Sequence, residues 1–180
     1  MAAAAINLNV SSADSKITFF TTGIVAKEAK DLIRKISDDG HEVACHYNYH
    51  DSIHKSDRKN LINNLEIAIE NITNATGIPP KGFRAPNFDI LPSDEWAYEE
   101  ISKRFEYDSS FITNLPLKKI CPNSKLSFKN SELREFFIFS RNFLTKKFKL
   151  RSGGTFLKLF PASFTINTMK ESFNKGHFVI

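Results

Sequence analysis

His46 and His50 stand four residues apart in the stretch Gly40-His41-Glu42-Val43-Ala44-Cys45-His46-Tyr47-Asn48-Tyr49-His50, which holds three of the chain's five histidines. That spacing lets both imidazoles reach one cation, and neutral imidazole is a common zinc ligand at about 2.0–2.1 Å. Zinc needs further ligands, so the pair alone predicts part of a site. By spacing alone it equally suits two loop histidines packed against Tyr47 and Tyr49. The metalloprotease signature HExxH does not fit, because His46 comes one residue too late after His41-Glu42. Arg84 follows an apolar strand pattern and precedes Ala85-Pro86. A guanidinium there can orient a carboxylate or bind a substrate oxygen, or simply form a surface ion pair. Asp108, in Asp108-Ser109-Ser110, reads either as a site residue at a strand exit or as a turn cap. Cys45 should point to the opposite face of its strand from His46 and reads as core. His41 and His54 read as structural and exposed, and His177 carries no role.

The elements that must position these residues alternate. Ile17–Phe20 reads as a short buried strand, with Thr21, Thr22 and Gly23 as its exit. Ala29, Leu32, Ile33 and Ile36 form one apolar stripe and predict a helix over 26–39, stopped by Gly40. Glu42–Cys45 is a second strand, and His46–Ser56 a polar loop. Ser56 or Asp57 caps a helix with Leu61, Leu65, Ile69 and Ile72 as its stripe, ended by Gly77 and Pro79-Pro80. Lys81–Arg84 is a third strand with a turn at Ala85-Pro86-Asn87. Pro92, Ser93 and Asp94 open a helix over 95–104, and Phe105–Ser110 is the fourth strand. This rhythm predicts an α/β fold with parallel strands and right-handed crossovers. Beyond it lie an irregular connection over 115–131, a strand over 133–139 and a turn at Ser152-Gly153-Gly154-Thr155. A helix over 161–174 follows, with Phe164, Ile166, Met169 and Phe173 as its apolar residues, and then a last strand from His177.

A chain of 180 residues suits one domain with a real core, here divided into an unpatterned lead-in over 1–16 and the domain over 17–180. No apolar run approaches the ~20 residues of a membrane span. The N-terminus lacks the basic segment of a signal peptide, so a cytoplasmic location is the expectation. Two cysteines make no disulfide framework. The net charge of +5 is concentrated in the second half. It reads as a solvated basic face, or as a surface for an acidic glycan or anionic lipid. No nucleic-acid motif accompanies it, and nucleic acid is not an expected partner.

The order Thr18-Phe19-Phe20, Gly40-His41-Glu42, His46-Tyr47-Asn48-Tyr49-His50 and Gly82-Phe83-Arg84-Ala85-Pro86-Asn87 resembles the NodB-homology polysaccharide deacetylases over roughly residues 17–90. Tyr107-Asp108-Ser109-Ser110, and Ser152-Gly153-Gly154-Thr155-Phe156 with Leu159-Phe160-Pro161, resemble a bacterial branch of that family linked to exopolysaccharide and surface-glycan biosynthesis. The resemblance implies a distorted (β/α) barrel, a divalent metal expected to be Zn2+, and hydrolysis of an N-acetyl or O-acetyl group on a carbohydrate substrate. It implies that His46 and His50 are metal ligands, that Arg84 positions a base carboxylate, and that Asp108 belongs to a motif in which an Asp tunes a catalytic histidine. The family's first motif, an Asp-bearing strand end, and its last, a Leu-x-His or His-Pro, have no counterpart in the sequence. The expectation is therefore an incomplete barrel without its first and last strands, impaired as an enzyme. The alternative is a non-catalytic glycan-binding or partner-binding remnant. A homo-oligomer is compatible with either.

Overall fold

The β-branched and aromatic run Thr18–Thr21 (β1) pairs in parallel with Glu42–Cys45 (β2), Thr18 opposite Glu42 and Thr21 opposite Cys45. The computed structural model describes residues 16–90, 94–116, 133–143, 148–150 and 160–177. Parallel neighbours need a crossover, supplied here by helices Gly23–Glu28 (α1) and Lys30–Asp38 (α2). The helix predicted over 26–39 thus begins earlier and is interrupted at Ala29, at φ −120° and ψ 43°. Its start is set by distant partners. Gly23 N donates to Tyr47 O at 2.9 Å and Ile24 N to Asn48 O at 3.0 Å. Of the predicted stripe, Ile33 and Ile36 are buried, whereas Leu32 is 51% exposed. Gly40 then reverses the chain at φ 81°, a conformation that a Cβ opposes.

Helix α3, Arg58–Thr76, is capped by the Asp57 side chain, which accepts from Asn60 N at 2.8 Å. It buries Leu61, Leu65, Ala68 and Ile72, with Ile69 only partly covered, and ends at Gly77 with φ 81°. Strand β3 is Gly82–Phe83, followed by a short 3-10 turn at Pro86–Phe88. Helix α4 is Glu95–Ser102 and strand β4 is Tyr107–Asp108. Then come β5 (Ile112–Thr113), β6 (Arg134–Glu135), β7 (Ile138–Phe139), β8 (Arg141–Phe143), β9 (Phe148–Leu150) and helix α5 (Ala162–Asn174). The strands predicted over 81–84 and 105–110 are thus shorter than expected. The strand predicted over 133–139 is split between two sheets. The lead-in up to Ser15, Pro92 and Ser93, residues 117–131, the Ser152–Thr155 turn and the segment from Phe178 lie outside the described residues.

Five strands form one all-parallel sheet in the order β1-β2-β3-β4-β6, beside the pairs β5-β7 and β8-β9. The α/β class holds, and among the described residues the barrel is open. Among the described residues β1 and β6 each have one neighbour in this sheet. The core lies between one sheet face, with Val43, Cys45 and Phe83, and the helices, with Ile33, Leu61 and Leu65. Helix α5 departs from expectation: Thr165, Thr168 and Ser172 are buried, while Ile166, Met169 and Phe173 are exposed. Thr168 is accommodated because its hydroxyl donates to Phe164 O at 2.9 Å.

The other sheet face carries Thr18, Phe20, Glu42, Tyr107, Arg134 and Phe136 around a cavity of about 590 Å³. The Tyr107 ring lies directly over Gly82, where any Cβ would overlap it. Gly82→Ala is therefore expected to cost about 1–3 kcal/mol by overpacking. In a Tyr107→Ala background the same replacement should be near neutral, as read from urea midpoints.

Candidate metal centre

Parallel strands in register bring their C-terminal ends to one edge. Cys45 lies opposite Phe83, Phe83 opposite Asp108, and Asp108 opposite Glu135. Successive side chains of a strand point to opposite faces. The next residue of each strand, His46, Arg84 and Ser109, therefore falls on one face. Cys45, Phe83, Asp108 and Glu135 fall on the other. Cys45 is fully buried, and burial pushes its thiol up to about 12, so it stays neutral and serves as core.

His46 is held at both ends of its bonding capacity. Its backbone N donates to Thr21 O at 2.8 Å, and its Nδ1 lies 2.6 Å from Arg84 O. A carbonyl only accepts, so Nδ1 carries the proton and the Nε2 lone pair is left for a cation. Burial lowers the pKa of His46, the Arg84 carbonyl works against that, and the His50 and Arg84 charges add to the lowering. The ring is thus neutral, as a ligand must be. The exposed His50 ring stands edge-on to it, centroids 5.1 Å apart at 71°. Both imidazoles therefore suit two positions of a divalent ion. Among the described residues no third His, Cys, Asp or Glu joins them.

The loop between the two histidines is clamped from both sides. Tyr47 takes φ 68°, and the α1 amides hold the Tyr47 and Asn48 carbonyls. Asn48 Nδ2 donates to Asn64 Oδ1 at 3.0 Å on α3. A Cβ on Gly23 would stand 2.6 Å from Asn48 Oδ1, so this close approach requires glycine. Beyond His50, Asp89 accepts from the Ser52 hydroxyl and from Ile53 N and His54 N, at 3.2 and 3.3 Å for the two amides. His54 is exposed, but its Nδ1 pairs with the buried Asp94 at 3.0 Å.

Arg84 is half-buried with its guanidinium 3.8 Å above the Phe20 ring. Its Nε donates to Ser109 O at 3.0 Å and its Nη2 to Ser109 Oγ at 2.8 Å. Burial pulls its pKa down to about 10, opposed by Asp108, Tyr107 and Glu135, so it stays charged at neutral pH. Asp108 lies on the helix-facing side of the sheet, fully buried. Its carboxyl accepts from Ser110 N at 3.1 Å and Ser110 Oγ at 2.7 Å. Ser110 Oγ in turn accepts from Ala85 N at 2.8 Å. The structure thus brings His46, His50 and Arg84 together, and ties Asp108 to them through Ser110 rather than by direct contact.

The model of the polysaccharide deacetylase family matches residues 9–103, more than half of the chain. The chain belongs to the polysaccharide deacetylase family. No curated protein matches it in sequence. Among solved structures, it is similar to one described as a polysaccharide deacetylase from Mycobacterium smegmatis, with 24% identity over 87% of this chain and 52% of that one, TM-score 0.62. A protein described likewise from Pseudomonas aeruginosa PAO1 gives 20% identity over 87% and 48%, TM-score 0.59. The Bc1960 peptidoglycan N-acetylglucosamine deacetylase gives 18% over 91% and 71%, TM-score 0.51. The chain spans about half the length of the first two. At these identities the likeness is one of fold, and the open parallel sheet is a deacetylase-type sheet.

Two acids near this sheet edge, Asp89 and Glu135, stand out less in the sequence. Asp89 falls in a turn, where an acidic residue is ordinary. Glu135 alternates with Leu133 and Phe137, and an acid at an inward position of an apolar run was the available signal. The Arg84 contacts predict the outcome of a charge-conserving change. Arg84→Lys keeps the charge but loses the planar fork. It should cost about 1–3 kcal/mol in urea unfolding.

Proposed function

We propose that the chain is part of a metal-dependent hydrolase that removes acetyl groups, N-acetyl before O-acetyl, from a bacterial exopolysaccharide or surface glycan. The observation that carries this reading is the Arg84 carbonyl on His46 Nδ1, which leaves the Nε2 lone pair of a ring beside His50 available to a cation. The family supports the reaction class. His46 and His50 would hold the cation, Zn2+ by ligand type, which supplies Lewis acidity toward an acetyl carbonyl. His46 stays neutral because its environment disfavours the imidazolium. Arg84 keeps a fixed positive charge on the same face, suited to orienting a carboxylate or a substrate oxygen. Its guanidinium carbon lies 3.8 Å from the centre of the Phe20 ring, which adds a cation–π contact to the serine bonds.

The 180-residue chain itself is assigned low turnover, since no acid joins the two histidines among the described residues. That same observation favours a second reading, a glycan-binding module without turnover that uses the basic second half. Acetate release from an N-acetylated oligosaccharide supplied with Zn2+ separates the two. Any release that depends on His46 and His50 supports the hydrolase. Salt-sensitive binding to anionic glycan with no release supports the module.

The metal assignment is tested on its own by calorimetric titration with Zn2+. His46→Ala and His50→Ala should each weaken binding by about 100-fold or more, since loss even of an outer-shell partner costs 10–100-fold. Affinity in the parent should fall with falling pH, as protonated imidazole cannot ligate. For His46 that loss should begin only below the ordinary imidazole value of 6.5, because its pKa is lowered. Variants that bind Zn2+ as tightly as the parent would refute the assignment.

A further inference from the structure

Asp108 and Glu135 are direct register partners on β4 and β6, and both are buried, with 0% and 7% exposure. Adjacent strands lie about 4.7–4.9 Å apart and both side chains leave the same face, so the two carboxyls are neighbours. Two carboxylates have only acceptors, so a bond between them requires a proton on one. The donors around the pair are unevenly shared. Asp108 accepts from both the amide and the hydroxyl of Ser110, whereas Glu135 accepts from Phe111 N at 3.1 Å. Donors favour the charged form of the group they reach, so the negative charge belongs on Asp108 and the proton on Glu135.

We propose that Asp108 and Glu135 hold one proton between them, carried by Glu135, and that Glu135 is thereby a positioning residue for the Arg84–Ala85 segment. The path is explicit. Glu135 donates to Asp108, Asp108 fixes Ser110, and the Ser110 hydroxyl receives Ala85 N, the residue after Arg84. Arg84 is held in parallel through Ser109, whose hydroxyl donates to Phe136 O at 2.8 Å beside Glu135. A doubly charged pair in this layer would repel itself and overcompensate one guanidinium. A singly charged pair balances Arg84. The groups around the pair are Tyr98 of α4, whose hydroxyl is kept neutral by burial first and then by the charges of Asp108, Glu135 and Asp94, and Arg84 on the opposite sheet face at the end of β3. Burial and the Asp108 charge raise the Glu135 pKa well above 4.5.

The inference rests on Arg84 belonging to the working edge, but its test does not depend on deacetylation. Infrared spectra of the full chain, with glutamate side chains carbon-13 labelled, should show a protonated-carboxyl band at pH 7. That band should shift with the label and vanish in Glu135→Gln. No such band in the parent overturns the proposal. The pH dependence of folding supplies a second readout. A raised pKa in the folded state means that the parent binds more protons folded than unfolded above pH 4.5. The folding constant of the parent relative to Glu135→Gln should therefore decline as pH rises, by up to about tenfold per pH unit, until the folded-state pKa is passed. A ratio independent of pH overturns the proposal. At pH 7 Asp108→Asn, which removes the charge that balances Arg84, should lower the folding constant more than Glu135→Gln. The reverse order would place the proton on Asp108 and overturn the assignment.

Discussion

The bond from His46 Nδ1 to the Arg84 carbonyl is the constraint on which the edge of the sheet depends. It joins the ends of β2 and β3 by a side chain where the ladder has run out, and it selects the tautomer of the ring. It also makes the position of one peptide group matter. The Arg84 carbonyl can serve only if the Arg84–Ala85 peptide is held: its N–H donates to Ser110 Oγ, and the Arg84 side chain is anchored separately on Ser109. Backbone N–H and C=O groups are obligatory bonding groups when buried. Here the strand ends satisfy them with serine hydroxyls and an imidazole in place of further ladder.

The pleat separates two kinds of chemistry. The face with His46, Arg84 and Phe20 opens to the cavity side. The face with Asp108 and Glu135 lies in the helix-covered layer, where desolvation raises the carboxyl pKa of both. A buried charge is tolerated only when paired and hydrogen-bonded. That condition is met by dense local donors at Ser110 and Phe111 and by Arg84 on the far side of the same strand ends. The basic and acidic groups thus stabilise each other across the sheet without sharing a pocket.

The first half of the fold was legible because its signals are local. Asp57 capping α3, Gly40 and Gly77 in left-handed turns, and the Leu61–Leu65–Ile72 stripe need no distant partner. The limits of α1 were not legible, since its first amides answer to Tyr47 and Asn48 rather than to their own neighbours. Nor was the break at Ala29. Residues 133–139 read as one strand because apolar aromatics look alike on either sheet. They are divided because Arg134–Glu135 follows β4 while Ile138–Phe139 follows β5. At the site, the HxxxH pair and Arg84 were visible as residue types. That Asp108 faces away from them follows only from the register, which sets its parity against His46 and Arg84.

The location of backbone strain shows where this stability is used. The three non-glycine residues with positive φ among those described are Tyr47, Asn87 and Phe88. Each lies in a loop leaving β2 or β3 at the C-terminal edge of the sheet. Such conformations cost on the order of 1–3 kcal/mol each and persist only where surroundings over-determine them. Tyr47 has that support, being 2% exposed and having its carbonyl bound by Gly23 N. Asn87 and Phe88 are bracketed by Ala85–Pro86, tied to Ser110, and by Asp89, tied to the 52–54 loop. The two strained turns are therefore cross-linked to each other through Asp89 and through the His46–Arg84 bond. Relaxing either one would displace a histidine or the carbonyl that orients it, so the strain is tied to the placement of the two imidazoles.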